Sequence, residues 1–158
     1  MSATAASERI WFLDNLARVH LDGARTGGAY SLVEMHGPPG DTPPLHVHRR
    51  EDEAFHVLEG RLRLFVGDDV IDVGPGESAI APAGVPHVYR VESQEPARWL
   101  VVCSPAGFED FVREVGEAAE DDALPPRGRP FDAATLTESA GRHGIEILGP
   151  PGALPDGA

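Results

Sequence analysis

His46 and His48, Glu53 five residues further on, and His87 from a distant segment are residues whose types and spacing point to metal ligation. Side chains two apart on a strand project from the same face, so both first imidazoles can reach one point. Three imidazoles and a carboxylate make an N3O donor set suited to one divalent transition-metal ion: manganese, iron, nickel, cobalt, copper or zinc. On a six-coordinate ion, four protein ligands leave two positions for water, dioxygen or substrate. Turn residues frame the donors. Gly40 and Gly60 bracket the first three, while Gly76, Pro82 and Gly84 precede His87.

These donors need short strands to present them. From Leu45 to Pro105 the chain reads as apolar stretches separated by turn signals. The candidates are Phe55–Leu58, Arg61–Val66, Val70–Val73, Ser78–Ala81, His87–Val91 and Arg98–Cys103, preceded by Ala29–Met35 and by apolar pieces at Ile10–Leu13 and Ala17–Leu21. Many short strands with Gly/Pro turns indicate an all-β sandwich or barrel. After Pro105 the period changes. Phe108, Phe111, Val112 and Val115 recur at helical spacing within Phe108–Ala119, predicting an amphipathic helix whose stripe packs on the barrel. A lid over the barrel mouth is the alternative role for that helix. A charged, Pro-rich linker spans Asp121–Pro130, and Asp132 caps a second helix over Ala133–His143, stopped by Gly144. Ile145–Leu148 is a last extended piece. The expected division is a barrel over residues 1–105 and a helical extension with its tail over 106–158, one domain overall.

The two framed blocks resemble the paired signature of the cupin superfamily, G-x5-H-x-H-x3,4-E-x6-G and G-x5-P-x-G-x2-H-x3-N. Gly40, His46, His48, Glu53 and Gly60 fill the first block, and Gly76, Pro82, Gly84 and His87 fill the second. Val91 stands where the pattern ends in asparagine, a departure that bears on substrate contacts rather than on the metal ligands. The resemblance covers about Ala29 to Pro105. It implies a small double-stranded β-helix, or jelly-roll barrel, with His46, His48, Glu53 and His87 around an internal metal. It also implies a homodimer, since known cupins usually dimerise.

Fold alone does not name a reaction. The arrangement is similar to bacterial quercetin 2,3-dioxygenase-like cupins, which implies a dioxygenase acting on a flavonol-like or other enolisable small molecule. In that reading Glu53 both binds metal and takes the substrate proton. Phe55, Val57, Leu64, Tyr89, Val91 and Leu100 are the expected apolar substrate wall, Tyr89 serving either as barrel wall or as a hydrogen-bonding group. A metal-dependent cyclase or isomerase of polyketide-type biosynthesis and a non-catalytic small-molecule-binding cupin are the alternatives.

Other features set limits. Acidic residues outnumber basic ones 26 to 13, for a formal charge of −13. That balance opposes nucleic acid, whose phosphates need cationic partners, and opposes anionic membrane surfaces. No apolar run is long enough to span a bilayer. Met1–Arg9 lacks a basic region followed by an apolar core, so the default expectation is the cytoplasm. Cys103, the single cysteine, sits in an apolar run and reads as a buried hydrophobe. His56 has the opposite parity to Glu53 and belongs on the outer wall; His20, His36 and His143 have no spacing argument. Glu51 and Asp52 are expected in solvent or paired with Arg49 and Arg50.

Overall fold

Alternation of inward apolar and outward polar side chains organises the strands of a computed structural model, which describes residues 6–158. The first five residues of the Met1–Arg9 segment therefore lie outside the described residues. The strands are β1 (Glu8–Phe12), β2 (Asn15–Leu21), β3 (Ser31–Gly37), β4 (Pro44–His48), β5 (Asp52–Glu59), β6 (Leu62–Val66), β7 (Asp69–Val73), β8 (Ser78–Ala81), β9 (His87–Val91), β10 (Ala97–Ser104), β11 (Glu117–Ala118) and β12 (Ile145–Pro151). Three helices join them: α1 (Gly23–Thr26), α2 (Phe108–Val115) and α3 (Ala133–Arg142). All pairings are antiparallel. One sheet runs β11-β1-β2-β3-β10-β5-β8 and the other β12-β4-β9-β6-β7. The two sheets enclose the apolar interior, the jelly-roll architecture that limits open edges.

Strand β10 shows how the interior is filled. Ala97, Trp99, Val101 and Cys103 are buried, while Leu100 and Val102 alternate toward the other face. Phe55 and Val57 from the adjacent β5, and Leu62 and Leu64 from β6 in the other sheet, pack in the same core. Burying the indole of Trp99 completely makes it a large single contribution, because an aromatic side chain removes roughly 150–250 Å² from water. Cys103 is fully buried, and loss of hydration pushes its thiol well above the ordinary range. A protonated, enclosed thiol is a packing group, as its sequence context suggests.

The C-terminal segment does more than add helices. Strand β12 extends the five-stranded sheet beside β4, placing Ile147 opposite His46 and Ile145 opposite His48. Helix α2 stops at Val115, four residues before its expected end. Gly116 is extended there, and a Cβ on it would lie 2.3 Å from Ile10. The chain then pairs with β1 as β11. Helix α3 begins as expected, the Asp132 side chain accepting from the Ala134 N–H at 3.1 Å.

Turns fix the register of the strands that hold the donors. Gly60 has φ of 77°, and a Cβ there would lie 2.9 Å from the Ala97 backbone, so a side chain would both strain the turn and strike β10.

Candidate metal centre

Ligands from both sheets meet in the interior. His46 and His48 share one face of β4, and His87 on β9 lies directly opposite His46 in register. Glu53 enters from β5 in the other sheet. The loop before His87 is tied to the first block, since the Gly84 N–H donates to the His48 carbonyl at 2.8 Å. The Gly40 N–H likewise donates to the Val91 carbonyl at 2.9 Å. The framing glycines thus hold the two blocks against each other.

One donor atom from each of the four residues falls within 4.8 Å of all the others. The imidazole centroids stand 4.5 to 5.4 Å apart. Their orientation is set from behind. The Nδ1 of His46 donates to the Pro44 carbonyl at 2.8 Å, and that of His87 to the Val85 carbonyl at 3.0 Å. Behind His48 the partner is a carboxylate, Glu51 Oε2 at 3.5 Å from Nδ1. Each ring therefore turns Nε2 toward the centre. Such backing by carbonyls and carboxylates fixes the tautomer and raises the basicity of a metal-binding imidazole.

The donor set fits a cation. Both nitrogens of His48 are buried and make no hydrogen bond among the described residues. Its Nε2 lies 3.0 Å from Glu53 Oε2, an ion-pair distance without hydrogen-bond alignment, and His87 Nε2 lies 2.8 Å from the same oxygen. An orphaned buried nitrogen costs about 1–3 kcal/mol, which a bound ion at this point would offset. Electrostatics agree. Burial opposes charge on Glu53, but His48 and His87 override it and hold the carboxyl well below its ordinary range. Burial likewise opposes charge on His48, and there the Glu53 and Glu51 carboxylates override it and raise the pKa. His46 goes the other way: enclosure, then repulsion from His87 and His48, pushes it down to about 3. The centre thus combines a neutral imidazole with a carboxylate that requires positive charge beside it.

Of the six residues expected to form an apolar wall, five are buried in the core and Leu100 is not. Phe55, Val57, Leu64, Tyr89 and Val91 are all buried in the core that surrounds the cluster. The Phe55 ring stands 6.5 Å from His87 and 6.3 Å from Tyr89. Leu100, however, faces outward, in register with Glu34 and His56, and Trp99 and Val101 occupy the inward positions. The run Trp99–Cys103 is apolar on both parities, so hydrophobicity carried no signal of which face is inside. Tyr89 is already engaged: its hydroxyl donates to Asp41 Oδ2 at 3.0 Å and accepts from Asn15 Nδ2 at 3.2 Å.

Polar residues that are not among the four donors behave differently from one another. His56 bonds Ser78 on the outer wall, His20 meets Glu34 and His143 meets Glu114. Glu51 is neither solvated nor paired with an arginine. It is 3% exposed behind His48, while Arg49 pairs with Glu146 and Asp52 accepts from the Ala83 N–H. Strand parity held the signal, because Glu51, Glu53, Phe55 and Val57 are two residues apart. Phe108, at the start of α2, packs its ring 5.8 Å from His48, so the helix backs the centre.

The family model for the cupin domain matches residues 33–103, a stretch that holds all four donors. The chain contains a cupin domain. Among relatives of this cupin, the quercetin 2,3-dioxygenase of Bacillus subtilis (strain 168) is 31% identical over 127 residues, covering 79% of this chain. The match covers 37% of that relative, so the chain spans little more than a third of its length. The polyketide cyclase RemF from Streptomyces resistomycificus has a TM-score of 0.51 at 25% identity, covering 65% of this chain and 70% of that one. The cupin domain of Schizosaccharomyces pombe Cnp3 shares the fold, with a TM-score of 0.54 at 13% identity over 66% of this chain and 70% of that one.

Proposed function

We propose that this cupin is a metal-dependent enzyme that acts on an enolisable, flavonol-like small molecule with dioxygen as co-substrate. One observation carries the reading: three Nε2 atoms and a carboxylate converge inside the barrel, each imidazole aimed from behind. His46, His48, Glu53 and His87 would hold the ion. When bound, a divalent transition-metal ion supplies Lewis acidity toward a substrate oxygen and, if redox-active, a route for electrons to dioxygen. The likeness to a quercetin 2,3-dioxygenase supports this class of chemistry.

The chain's own residues have separable tasks. Glu53 is the base for the substrate hydroxyl proton. Its ionised state is maintained by His48 and His87, which also limits its basicity. Transfer to Glu53 therefore requires a substrate whose hydroxyl is itself acidic, as in an enol. Phe55, Val57, Leu64, Tyr89 and Val91 surround the centre with apolar surface and keep bulk water from a reactive carbanion-like substrate. Tyr89 keeps its ring in place through Asp41 and Asn15 rather than offering a free hydroxyl.

The likeness to a polyketide cyclase favours a second reading, in which the same site closes or isomerises an enolisable polyketide without oxygen. Oxygen dependence separates the two. An oxygen electrode with metal-reconstituted protein and a flavonol should record uptake that stops when the ion is chelated. Product formation under strictly anaerobic conditions would instead assign the cyclase or isomerase reading, and ligand retention without turnover would assign a binding protein.

A further inference from the structure

A cavity lies outside the metal centre, where β1, β2, the loop before β4 and the linker ahead of α3 meet. Its volume is about 150 Å³, with apolar walls that include Trp11, Leu13, Pro44 and Phe131. A cavity of about that size accepts one benzene ring when its walls are apolar. Here one side is polar instead: Asp14, Asn15 and Asp41 line it. We propose that this cavity binds a neutral hydroxylated aromatic ring, its hydroxyl donating to the Asp41 carboxylate.

The chemistry of the lining selects that class. Asp41 Oδ2 already accepts from Asn15 Nδ2 at 3.1 Å and from the Tyr89 hydroxyl at 3.0 Å. Among the described residues no side chain donates to its Oδ1, which leaves that oxygen as an acceptor. Asn15 is 2% exposed and is held by Asp41 and Tyr89, so the polar side is a fixed part of the barrel. Burial raises the Asp41 carboxyl to about 6, so at neutral pH it is mainly an ionised acceptor. Two aspartates against one arginine leave the lining net negative, which disfavours an anionic ligand and favours a hydroxyl donor. Arg129, over the Trp11 ring at 5.5 Å, is paired with Glu117 through Nη2, while its Nη1 is buried without a hydrogen bond among the described residues. The aromatic and proline surfaces supply the apolar contact a ring needs.

The binding proposal does not depend on the metal chemistry, and the two tryptophans make it testable. Trp11 lines the cavity and its Nε1 donates to the Ala123 carbonyl at 3.0 Å, whereas Trp99 lies in the barrel interior beside Tyr89, 5.0 Å between ring centroids. In ¹⁵N-labelled protein, phenol should shift the Trp11 indole N–H saturably and leave that of Trp99 in place, both before and after chelation of metal. Toluene, which lacks the hydroxyl, should bind about tenfold more weakly, and Asp41→Asn should weaken phenol by a similar factor. Val115→Phe, which fills the cavity, should abolish the shift with the rest of the spectrum preserved; Phe131→Ala, an exposed wall residue, should weaken it if the larger substitution disturbs folding. A shift confined to Trp99, loss of the Trp11 shift on chelation, equal affinity for toluene, or no saturable shift at all would overturn the proposal.

Discussion

Glu51 stands with Oε2 3.5 Å from the Nδ1 of His48, and both residues are buried, 3% and 1% exposed. Neither atom has a hydrogen bond among the described residues, so the ion-pair contact is the partner each has. The pair therefore acts as a carboxylate that aims and strengthens an imidazole whose other nitrogen faces Glu53. Replacing Glu51 by Gln keeps the shape and removes the charge. Metal affinity should fall about 10–100-fold, the usual cost of losing such a supporting group, as read by competition with a coloured chelator. Unchanged affinity would assign Glu51 a packing role only.

Glu53 carries two proposed tasks, and substitution separates them. Glu53→Gln retains an oxygen ligand but not a base, so turnover should fall further than metal content. Parallel losses in kcat and bound metal would reduce Glu53 to a ligand.

Asp41 links burial to pH. Its folded pKa of about 6 lies above the ordinary value of 3.8, so the native state holds its proton more tightly than the unfolded chain does. The resulting stability is fully present below about pH 4, declines between about pH 4 and 6, and is gone above. The shift corresponds to at most about 3 kcal/mol, less whatever solvent screens. Asp41→Asn removes this dependence. The melting temperature of Asp41→Asn relative to the parent should therefore climb as pH rises from about 4 to 7 and then level off. A difference independent of pH would contradict the assignment.

Gly60 tests the framing role. Gly60→Ala places a Cβ at φ of 77°, 2.9 Å from the Ala97 backbone. Left-handed strain alone costs about 1–2 kcal/mol, and the collision with β10 adds to it. Denaturant unfolding should show a loss greater than the strain alone; a loss under 1 kcal/mol would mean that the turn and β10 separate freely.

Much of this was legible in residue order. Ser78–Ala81 and His87–Val91 occupy the strand bounds their alternation and flanking turns suggest, because each lies between Gly/Pro signals on both sides. The donors were legible because His46 and His48 stand two apart, and Glu53 and His87 follow at metal-ligand intervals in a frame of glycines and a proline. Leu100 was not, since both faces of β10 are apolar there. Glu51 was hidden by its neighbours: Glu51-Asp52-Glu53 looks like a solvated acidic run, yet strand parity sends Asp52 out and buries the other two. The Asp41–Asn15–Tyr89 contacts join segments 26 to 74 residues apart in sequence, a distance no local pattern reports.

Elemental analysis of the protein and of His48→Ala and His87→Ala tests the central claim most directly. The account predicts one divalent transition-metal ion per chain in the parent after reconstitution, and a large loss in both variants with far-ultraviolet circular dichroism unchanged. Full metal content in both folded variants would contradict it.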